Sequence, residues 1–359
     1  MLKSKLYEIL DQIEPIDDSY LKKAKERTES LIMPYRALGR LHEIAEKICA
    51  INRTLSPKID KKCVFVMAGD HGVVEEGVSA FPQEVTQEMV RAFINGWATI
   101  NVISKKVGAM VVVSDIGVKA DVDEEPTEKN CFYLKKKVVR GTKNFTKGPA
   151  MTEEEAIKSI LTGFEIADSF IKKFDLDLVI TGDMGIGNTT PSAAIASVVL
   201  NAEVDIMVGK GTGIDDTKLL KKIEVVKKGI AVNKPDPKDP IDVLAKVGGA
   251  EIGAIAGVIL AASINKIPVV IDGVISTAGG IIAFLLNKNS KDYMLAGHQS
   301  EEPAHKKMLE FLDLFPILNL SMRLGEGTGA ALAIPIIETS VEVFKKVKTF
   351  EEAEVSKKM

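Results

Sequence analysis

The chain has 359 residues, a formal net charge of −3, 46% hydrophobic residues and 27% charged residues, as in an ordinary soluble protein. The charge provides no electrostatic footprint for nucleic acid, and no uncharged run reaches the roughly 18–20 residues of a membrane span. The three scattered cysteines form no CxxC pair, which excludes a cysteine-rich zinc site and fits a reducing compartment. No signal peptide is visible at the N-terminus. We therefore expect a cytoplasmic protein that binds neither nucleic acid nor membrane.

Residues 1–55 are predicted to be helical throughout, because apolar side chains recur there at three- and four-residue steps. Beyond residue 62, short β-branched runs alternate with longer helical patterns. Near-continuous apolar runs predict strands buried on both faces at 63–67, 110–113, 177–180 and 267–271, and a further strand is possible at 293–295. The helical patterns cover about 84–105, 152–174, 190–200, 215–232, 250–264 and 277–287, and a last helix begins near 328.

This alternation of strands and helices predicts an α/β fold with a mainly parallel sheet flanked by helices. The helical head of the chain and its last helix are expected to pack together as a smaller domain. In such a sheet, ligands bind beyond the carboxyl ends of the strands, so the loops that follow the strands carry the functional prediction.

The loop at 181–190 follows a predicted strand and opens a helix, with the sequence TGDMGIGNTT. Its glycines allow backbone N–H groups to converge, and the helix N-terminus favours an anion such as phosphate. The candidate ligand-binding residues here are Gly185, Gly187, Asn188 and Thr189. The alternative is a tight strand-to-helix turn that Asn188 or Thr189 caps. A second glycine cluster, at 209–213, is either another loop that closely approaches a ligand or a helix cap.

Asp70 and His71, after the first predicted strand, suggest either a metal site or an acid–base pair. No second histidine lies at a ligand spacing, so we expect no metal. An orienting role is favoured instead, with His71 bonded to the backbone or to Asp70.

Glu326 is flanked by Gly325 and Gly327, with Gly329 close behind. Each glycine in an ordered element costs roughly 0.5–1 kcal/mol relative to alanine. Such a cluster around one acid indicates that something must approach it closely. The alternative is a flexible turn that carries a solvated glutamate.

Seven ordered segments resemble the nicotinate-nucleotide:dimethylbenzimidazole phosphoribosyltransferase family of cobalamin lower-ligand synthesis, and together they cover roughly residues 60–335. They are AGDHGVVEEGVSAFPQEVT, GTKNFTKGP, TGDMGIGNTTPSAAI, GKGTGIDD, GGAEIGAIAG, AGHQSEEPAH and MRLGEGTGAAL. The resemblance implies a homodimer whose large, doubly wound, Rossmann-like domain spans 60–317. It also implies a small helical domain formed by 1–59 together with 318–359.

The resemblance further implies that the enzyme transfers phosphoribose from nicotinate mononucleotide to 5,6-dimethylbenzimidazole or a related azole, giving α-ribazole 5′-phosphate and nicotinate. Glu326 then matches the general base. Ser79, Gln87, Met184 and Leu324 match the aromatic-base pocket, while Gly185, Ser300 and Lys222 match the phosphoribosyl side. Asp183 stands where some members have Glu, so a catalytic assisting role for this residue is in doubt.

The expected chemistry requires one base, because a carboxylate can accept the benzimidazole N–H proton while the pyridinium leaves as neutral pyridine. No metal or other cofactor is therefore expected, and a lone general base predicts inversion at the anomeric carbon. Two alternatives stay open: another N-glycosyl transferase, such as a nucleoside phosphorylase, and a non-catalytic nucleotide-binding sensor.

Overall fold

Six strands form one sheet in which every neighbouring pair is parallel. The structure, a computed structural model, describes residues 1–356. The strands are β1 (Lys62–Gly69), β2 (Ala109–Gly117), β3 (Cys131–Lys135), β4 (Leu178–Met184), β5 (Val269–Ile271) and β6 (Met294–Ala296). Their order is β3-β2-β1-β4-β5-β6, so the chain reverses direction across the sheet between β1 and β4. This is the doubly wound order, in which ligands bind at the reversal point.

Four predicted apolar runs are confirmed as β1, β2, β4 and β5, and the possible strand at 293–295 is confirmed as β6. All residues of β1 and β5 are buried, as expected for strands covered on both faces. The edge strand β3 escaped prediction. Its central residues are only half-buried, and charged segments flank it, so it lacks the apolar run that marks the other strands.

Fourteen α-helices lie among the described residues. They are α1 (Leu2–Leu10), α2 (Asp18–Ser30), α3 (Arg40–Asn52), α4 (Val85–Ile94), α5 (Thr99–Lys106), α6 (Glu153–Phe174), α7 (Thr189–Val199), α8 (Val204–Met207), α9 (Asp216–Asn233), α10 (Pro240–Val247), α11 (Ala250–Ile264), α12 (Val274–Leu286), α13 (Pro303–Phe311) and α14 (Thr328–Lys346). Two short 3₁₀ helices span Gly72–Glu76 and Lys288–Tyr293. No helix within 1–356 is both long and apolar enough to cross a membrane.

Two helical predictions are wrong in extent. The pattern at 84–105 forms two helices, because Gly96 adopts a φ of +73° and ends the first. Residues 1–55 are not helical throughout, because the segments 11–17 and 31–39 separate three helices. Helices α10 and α13 were missed, although Pro240 and Pro303 stand at their first turns, where proline is favoured.

The two faces of the sheet are covered by different sets of helices. Cys63, Phe65 and Met67 of β1 point to a core with α6, α7 and α9–α13, whereas Val64 and Val66 point to α3–α5 and α14. Helices α6 and α11 pack backbone to backbone at Gly163, which has no side chain to keep them apart. A Cβ at this position would lie 2.0 Å from the carbonyl oxygen of Ala254. This close packing holds the start of α11 beneath the carboxyl end of the sheet.

The terminal helices meet in a small cluster of their own. Ala24 of α2, Ala45 and Cys49 of α3, and Phe344 of α14 pack together. Helix α14 also lies on the sheet, while α1 contributes Leu6 to the core on the opposite face. The division into a large domain at 60–317 and a small domain of 1–59 with 318–359 stays a prediction, and residues 357–359 lie outside the described part.

Candidate active site

A cavity of about 350 Å³ opens at the carboxyl ends of β4, β5 and β6, beside the reversal point of the sheet. Most of the predicted site residues line it, namely Ser79, Asp183, Met184, Gly185, Gly187, Asn188, Thr189, Ser300, Leu324 and Glu326. Gln87 and Lys222 do not line it. Gln87 lies on α4 between Val85 and Met89, which do line the wall, and Lys222 lies behind the wall on α9.

Glu326 sits at the start of α14 and is only 4% exposed, so the predicted alternative of a solvated glutamate is wrong. Its Oε2 accepts a hydrogen bond from the backbone N–H of Ile100, in the first turn of α5, at 3.2 Å. Burial raises the pKa of Glu326 to about 7, and the charge of Asp272 acts in the same direction while the Ile100 N–H opposes it. A carboxylate with this pKa can take up a proton near neutral pH.

The glycines around Glu326 allow other parts of the protein to lie close against this turn. Residues 325–327 all have positive φ, at +87°, +63° and +90°. A Cβ on Gly325 would lie 3.0 Å from a carboxylate oxygen of Asp183, and a Cβ on Gly182 of β4 would lie 2.5 Å from the carbonyl oxygen of Glu326. The turn is therefore pressed against β4, which aims the Glu326 side chain at the cavity.

Asp183, near the end of β4, is a second buried carboxyl group in the cavity wall. Its Oδ2 accepts a hydrogen bond from the side-chain amide of Asn188 at 3.0 Å, and its Oδ1 has no partner. Burial raises the pKa of Asp183 well above its ordinary value, and the charges of Asp272 and Glu251 add to that shift. Burial thus favours the neutral form of Asp183.

Asp272 follows β5 directly, and the prediction missed its part in the site. It accepts hydrogen bonds from the backbone N–H groups of Gly327 at 3.1 Å and Ala330 at 2.9 Å. The Nε2 of His298, a cavity residue, lies 3.5 Å from its Oδ1, while the Nδ1 of His298 is buried without a partner. The available signal was its position, one residue beyond a buried strand.

The loop between β4 and α7 forms the floor of the cavity. Gly187 has a φ of +88°, and a Cβ on Gly185 would lie 2.2 Å from the carbonyl oxygen of Gly69. Asn188 makes no side-chain cap for α7, since its amide is bonded to Asp183 instead. The helix start is therefore free of the cap that the turn-only alternative required, and its positive end faces the cavity.

Lys222 supports this loop from behind. Its Nζ donates hydrogen bonds to Thr189 Oγ1 at 2.7 Å and to the Gly209 carbonyl oxygen at 3.0 Å. Burial lowers the pKa of Lys222 to about 8, and the charge of Glu302 opposes this shift. The lysine contributes a positive charge behind the start of α7 and contacts the wall residue Thr189, although it does not itself line the cavity.

The second glycine cluster, at 209–213, lies partly in the cavity wall and is followed directly by a helix cap. Its close approach to a ligand stays a prediction. Gly211 lines the cavity and donates its N–H to Glu302 Oε1 at 2.8 Å, while its carbonyl oxygen accepts from Arg323 at 3.0 Å. Asp215, just beyond the cluster, caps α9 by accepting the N–H of Lys218.

A neutral histidine holds the Ser300 backbone in place. His305 Nδ1 accepts the N–H of Ser300 at 2.9 Å, so Nε2 carries the proton and donates it to Thr277 Oγ1 at 2.9 Å. Thr277 donates in turn to the carbonyl oxygen of Gly273. Burial lowers the pKa of His305 to about 3, which keeps the ring neutral. The Ser300 hydroxyl is buried without a partner and faces the cavity.

The partner of His71 is Glu251, so the expectation of a bond to Asp70 is wrong. His71 Nε2 lies 2.8 Å from Glu251 Oε1 in the first turn of α11, and both side chains are buried. Asp70 instead accepts the N–H of Lys119 at 2.8 Å. Within residues 1–356, no group of three or more His, Cys, Asp or Glu side chains is arranged to hold a metal ion.

The fold and the cavity define a Rossmann-like α/β protein with buried carboxyl groups facing a glycine-rich strand-to-helix turn. A family model described as phosphoribosyltransferase matches residues 13–355. The chain belongs to this family and is thus a pentosyltransferase.

Relatives and solved structures agree with this assignment. The nicotinate-nucleotide--dimethylbenzimidazole phosphoribosyltransferases of Geotalea uraniireducens and Geobacter sulfurreducens are 51% and 49% identical, each over 98% of this chain and 98% of the relative. The crystal structure of CobT from Thermus thermophilus superposes with a TM-score of 0.90 at 40% identity and covers 95% of this chain and 100% of that one.

Proposed function

We propose that the protein transfers 5-phosphoribose from nicotinate mononucleotide to 5,6-dimethylbenzimidazole or a related azole. The products are α-ribazole 5′-phosphate, a precursor of the cobalamin lower ligand, and nicotinate. The names of relatives about half identical over nearly their whole length support this choice of substrates. The observation that carries the proposal is the burial of Glu326, whose pKa of about 7 suits a base, in a cavity with an anion-binding floor.

The aromatic acceptor belongs on the apolar side of the cavity. Its walls there are Val78, Phe81, Val85, Met89, Met184, Ile186 and Leu324, and Ser79 adds a hydroxyl. A flat heteroaromatic ring fits such a wall, because burial of apolar area supplies the binding energy and a few polar groups orient the ring. Gln87 lies between Val85 and Met89 on α4 but does not line the cavity, so a contact with the acceptor requires movement of its side chain or of α4.

The phosphate of the donor belongs at the turn 185–189, where the positive end of α7 and the charge of Lys222 favour an anion. The Ser300 hydroxyl, which is buried and unpartnered, is positioned to bond the same sugar-phosphate. With the phosphate fixed, the anomeric carbon is presented to the acceptor, and such orientation supplies roughly 7–11 kcal/mol in favourable systems.

Glu326 accepts the acceptor's N–H proton as the other ring nitrogen attacks the anomeric carbon. The bond from carbon to the pyridinium nitrogen breaks, and its electron pair returns to the ring, so nicotinate leaves without being protonated. One carboxylate therefore completes the proton balance without a metal ion or other cofactor. Because attack and departure occur on opposite faces, the configuration inverts. The role of Asp183 is auxiliary, since burial favours its neutral form.

We also propose that the enzyme works as a cytoplasmic homodimer. Phe81 and Leu324 line the cavity yet are 49% and 53% exposed. A second copy of the chain, or closure of the terminal helices, would exclude water from this side of the cavity. Sedimentation at several concentrations tests the dimer.

Acceptor-dependent release of nicotinate tests the proposed function. Purified protein is mixed with nicotinate mononucleotide and either dimethylbenzimidazole, adenine or phosphate, and the products are separated and their anomeric configuration determined. We expect the fastest release with dimethylbenzimidazole and an α-configured product. Fastest release with phosphate would identify a phosphorylase, and tight binding of the donor without release would identify a sensor.

A further inference from the structure

We propose that Asp272 is the positioning residue for Glu326, holding the turn 325–327 from the end of β5 so that the Glu326 carboxylate faces the acceptor. This inference rests on the proposed function, because it gives Asp272 a role in the activity of the base. Asp272 does not itself line the cavity, and neither the family resemblance nor the apolar pattern of β5 pointed to it.

Asp272 ties the end of β5 to the backbone that directly follows the base. Its two oxygens accept separate N–H groups, one from Gly327 immediately after Glu326 and one from Ala330 a turn later. The side chain is fully buried. The first turn of α14 is thus attached to the rigid end of β5, and no side chain of α14 itself caps this helix.

An anchor is needed here because the turn is unfavourable on its own. Glu326 has a φ of +63°, a left-handed conformation that a side chain with a Cβ rarely adopts. Such a conformation persists only when the surroundings over-determine it. Asp272 on one side and the close contact of Gly182 with the Glu326 backbone on the other supply this restraint.

The charge of Asp272 has a second consequence for the base. Burial raises the pKa of Glu326, and Asp272 adds to the increase. The other ionisable groups facing this region are Asp183 at the end of β4, His298 after β6, and Lys210, Glu302 and Arg323 around the cavity. Burial raises the pKa of Asp272, while His298, whose Nε2 lies 3.5 Å from Oδ1, and the backbone N–H donors oppose that rise.

If Asp272 were only a helix cap, it would contribute to stability but not to catalysis. Comparing Asp272→Asn with Asp239→Asn separates this structural role from the proposed positioning role. Asp239 is exposed and accepts two backbone N–H groups, those of Ile241 and Asp242, at the start of α10, away from the cavity. Both substitutions weaken a two-bond cap, but only the first changes the surroundings of Glu326.

We expect Asp272→Asn to lower kcat by about 10–100-fold, because a catalytic group displaced by up to about 1 Å loses this much activity. Affinity for nicotinate mononucleotide, measured by calorimetry, should stay within about threefold of the parent. The ratio of kcat/KM at pH 6 to that at pH 8 should rise by about 2.5-fold, the effect of a fall of about half a unit in the pKa of the base. Asp239→Asn should change none of these quantities.

The double variant Asp272→Asn/Glu326→Gln completes a double-mutant cycle, which measures whether the two substitutions act independently. If Asp272 acts through Glu326, its substitution costs nothing further once the base is gone. A folded Asp272→Asn protein with unchanged kcat and pH profile, or fully multiplicative losses in the double variant, would overturn the inference.

If Asp272→Asn fails to fold, hydrogen exchange on the unmodified protein tests the anchor instead. The amides of Gly327 and Ala330 should be among the slowest to exchange in the 325–331 peptide, and rapid exchange there would refute the anchor. Absence of any transferase activity in the parent protein would instead reject the proposed function and leave this exchange result interpretable.

Discussion

The Glu326 carboxylate accepts the backbone N–H of Ile100 at 3.2 Å, across 226 positions of the chain. This bond links the turn before α14 to the first turn of α5, and it occupies only Oε2. The positive end of α5 favours the ionised carboxylate, while burial and Asp272 favour the protonated one. The balance places the proton affinity of this group near neutrality, and several expected outcomes depend on it.

Substitution of Glu326 by Gln should lower turnover by a factor of about 10²–10⁴, the usual contribution of a general base, because glutamine cannot accept the acceptor's proton. Circular dichroism and sedimentation should be unchanged. The measurement is the initial rate of nicotinate release with saturating dimethylbenzimidazole. Glu310→Gln, the same exchange at an exposed site on α13, serves as the control and should be fully active. Undiminished activity of Glu326→Gln would show that another residue is the base, with Asp183 the first candidate.

The pH profile of kcat/KM should have two limbs. Below about pH 7 the rate should fall as Glu326 becomes protonated, since its pKa is raised to about 7. Above about pH 8 it should fall again as Lys222, with its pKa lowered to about 8, loses the charge behind the phosphate turn. Initial rates across pH 5.5–9.5 provide the test. An acid limb that persists in Glu326→Gln would assign it to another group.

Glu326→Gln should also stabilise the protein at alkaline pH. Because folding raises the pKa of Glu326 from 4.5 to about 7, the folded state binds this proton more tightly than the unfolded state does. The contribution therefore stabilises the fold below about pH 4.5 and is lost as the pH rises to about 7.

Relative to the parent, the variant should gain up to about 3 kcal/mol above pH 7 and little near pH 4.5. Denaturant unfolding at pH 5 and pH 8, with Glu310→Gln as the matched exposed site, measures this gain. A gain equal at both pH values would contradict the assignment.

Gly325→Ala should destabilise the protein and lower its activity together. The positive φ at this position costs about 1–2 kcal/mol for any residue with a Cβ. The new methyl group would in addition press on Asp183 at 3.0 Å and shift the base. Gly108→Ala is the matched control, because Gly108 has a φ of +67° and open space around it. We expect the control to lose stability alone, so equal turnover in the two variants would refute a role for this contact.

A chelator should leave the activity intact. The proposed step needs no Lewis acid, because the leaving group departs as a neutral ring and one carboxylate takes the proton. Initial rates after dialysis against EDTA test this expectation. A loss of activity that Mg²⁺ or Zn²⁺ restores would require a metal in the mechanism.

The local pattern of the chain was sufficient to predict most of the sheet. Of the cavity wall, Ser79, Met184, Ser300 and Leu324 were predicted only from the resemblance to a known family. Buried parallel strands require continuous apolar runs, so β1, β2, β4 and β5 could be read directly, whereas the half-buried β3 could not. Glu326 and the turn 185–189 were likewise visible, because clustered glycines mark them in the sequence. In the structure Gly187, Gly325 and Gly327 adopt positive φ.

Only the tertiary structure decided which groups meet these residues. Asp272 lies 54 positions before Glu326, and Glu251 lies 180 positions after His71, so their pairing depends on strand order and helix packing, which no local pattern encodes. The same holds for His305, whose ring joins Ser300 to Thr277 inside the protein. The amino-acid sequence by itself determined the carboxyl group of the proposed base and the glycine-rich turn proposed to bind an anion, because both depend on residue type and local backbone freedom. The proton affinity of the base was decided by tertiary structure, because burial and neighbouring charge arise only when distant segments come together.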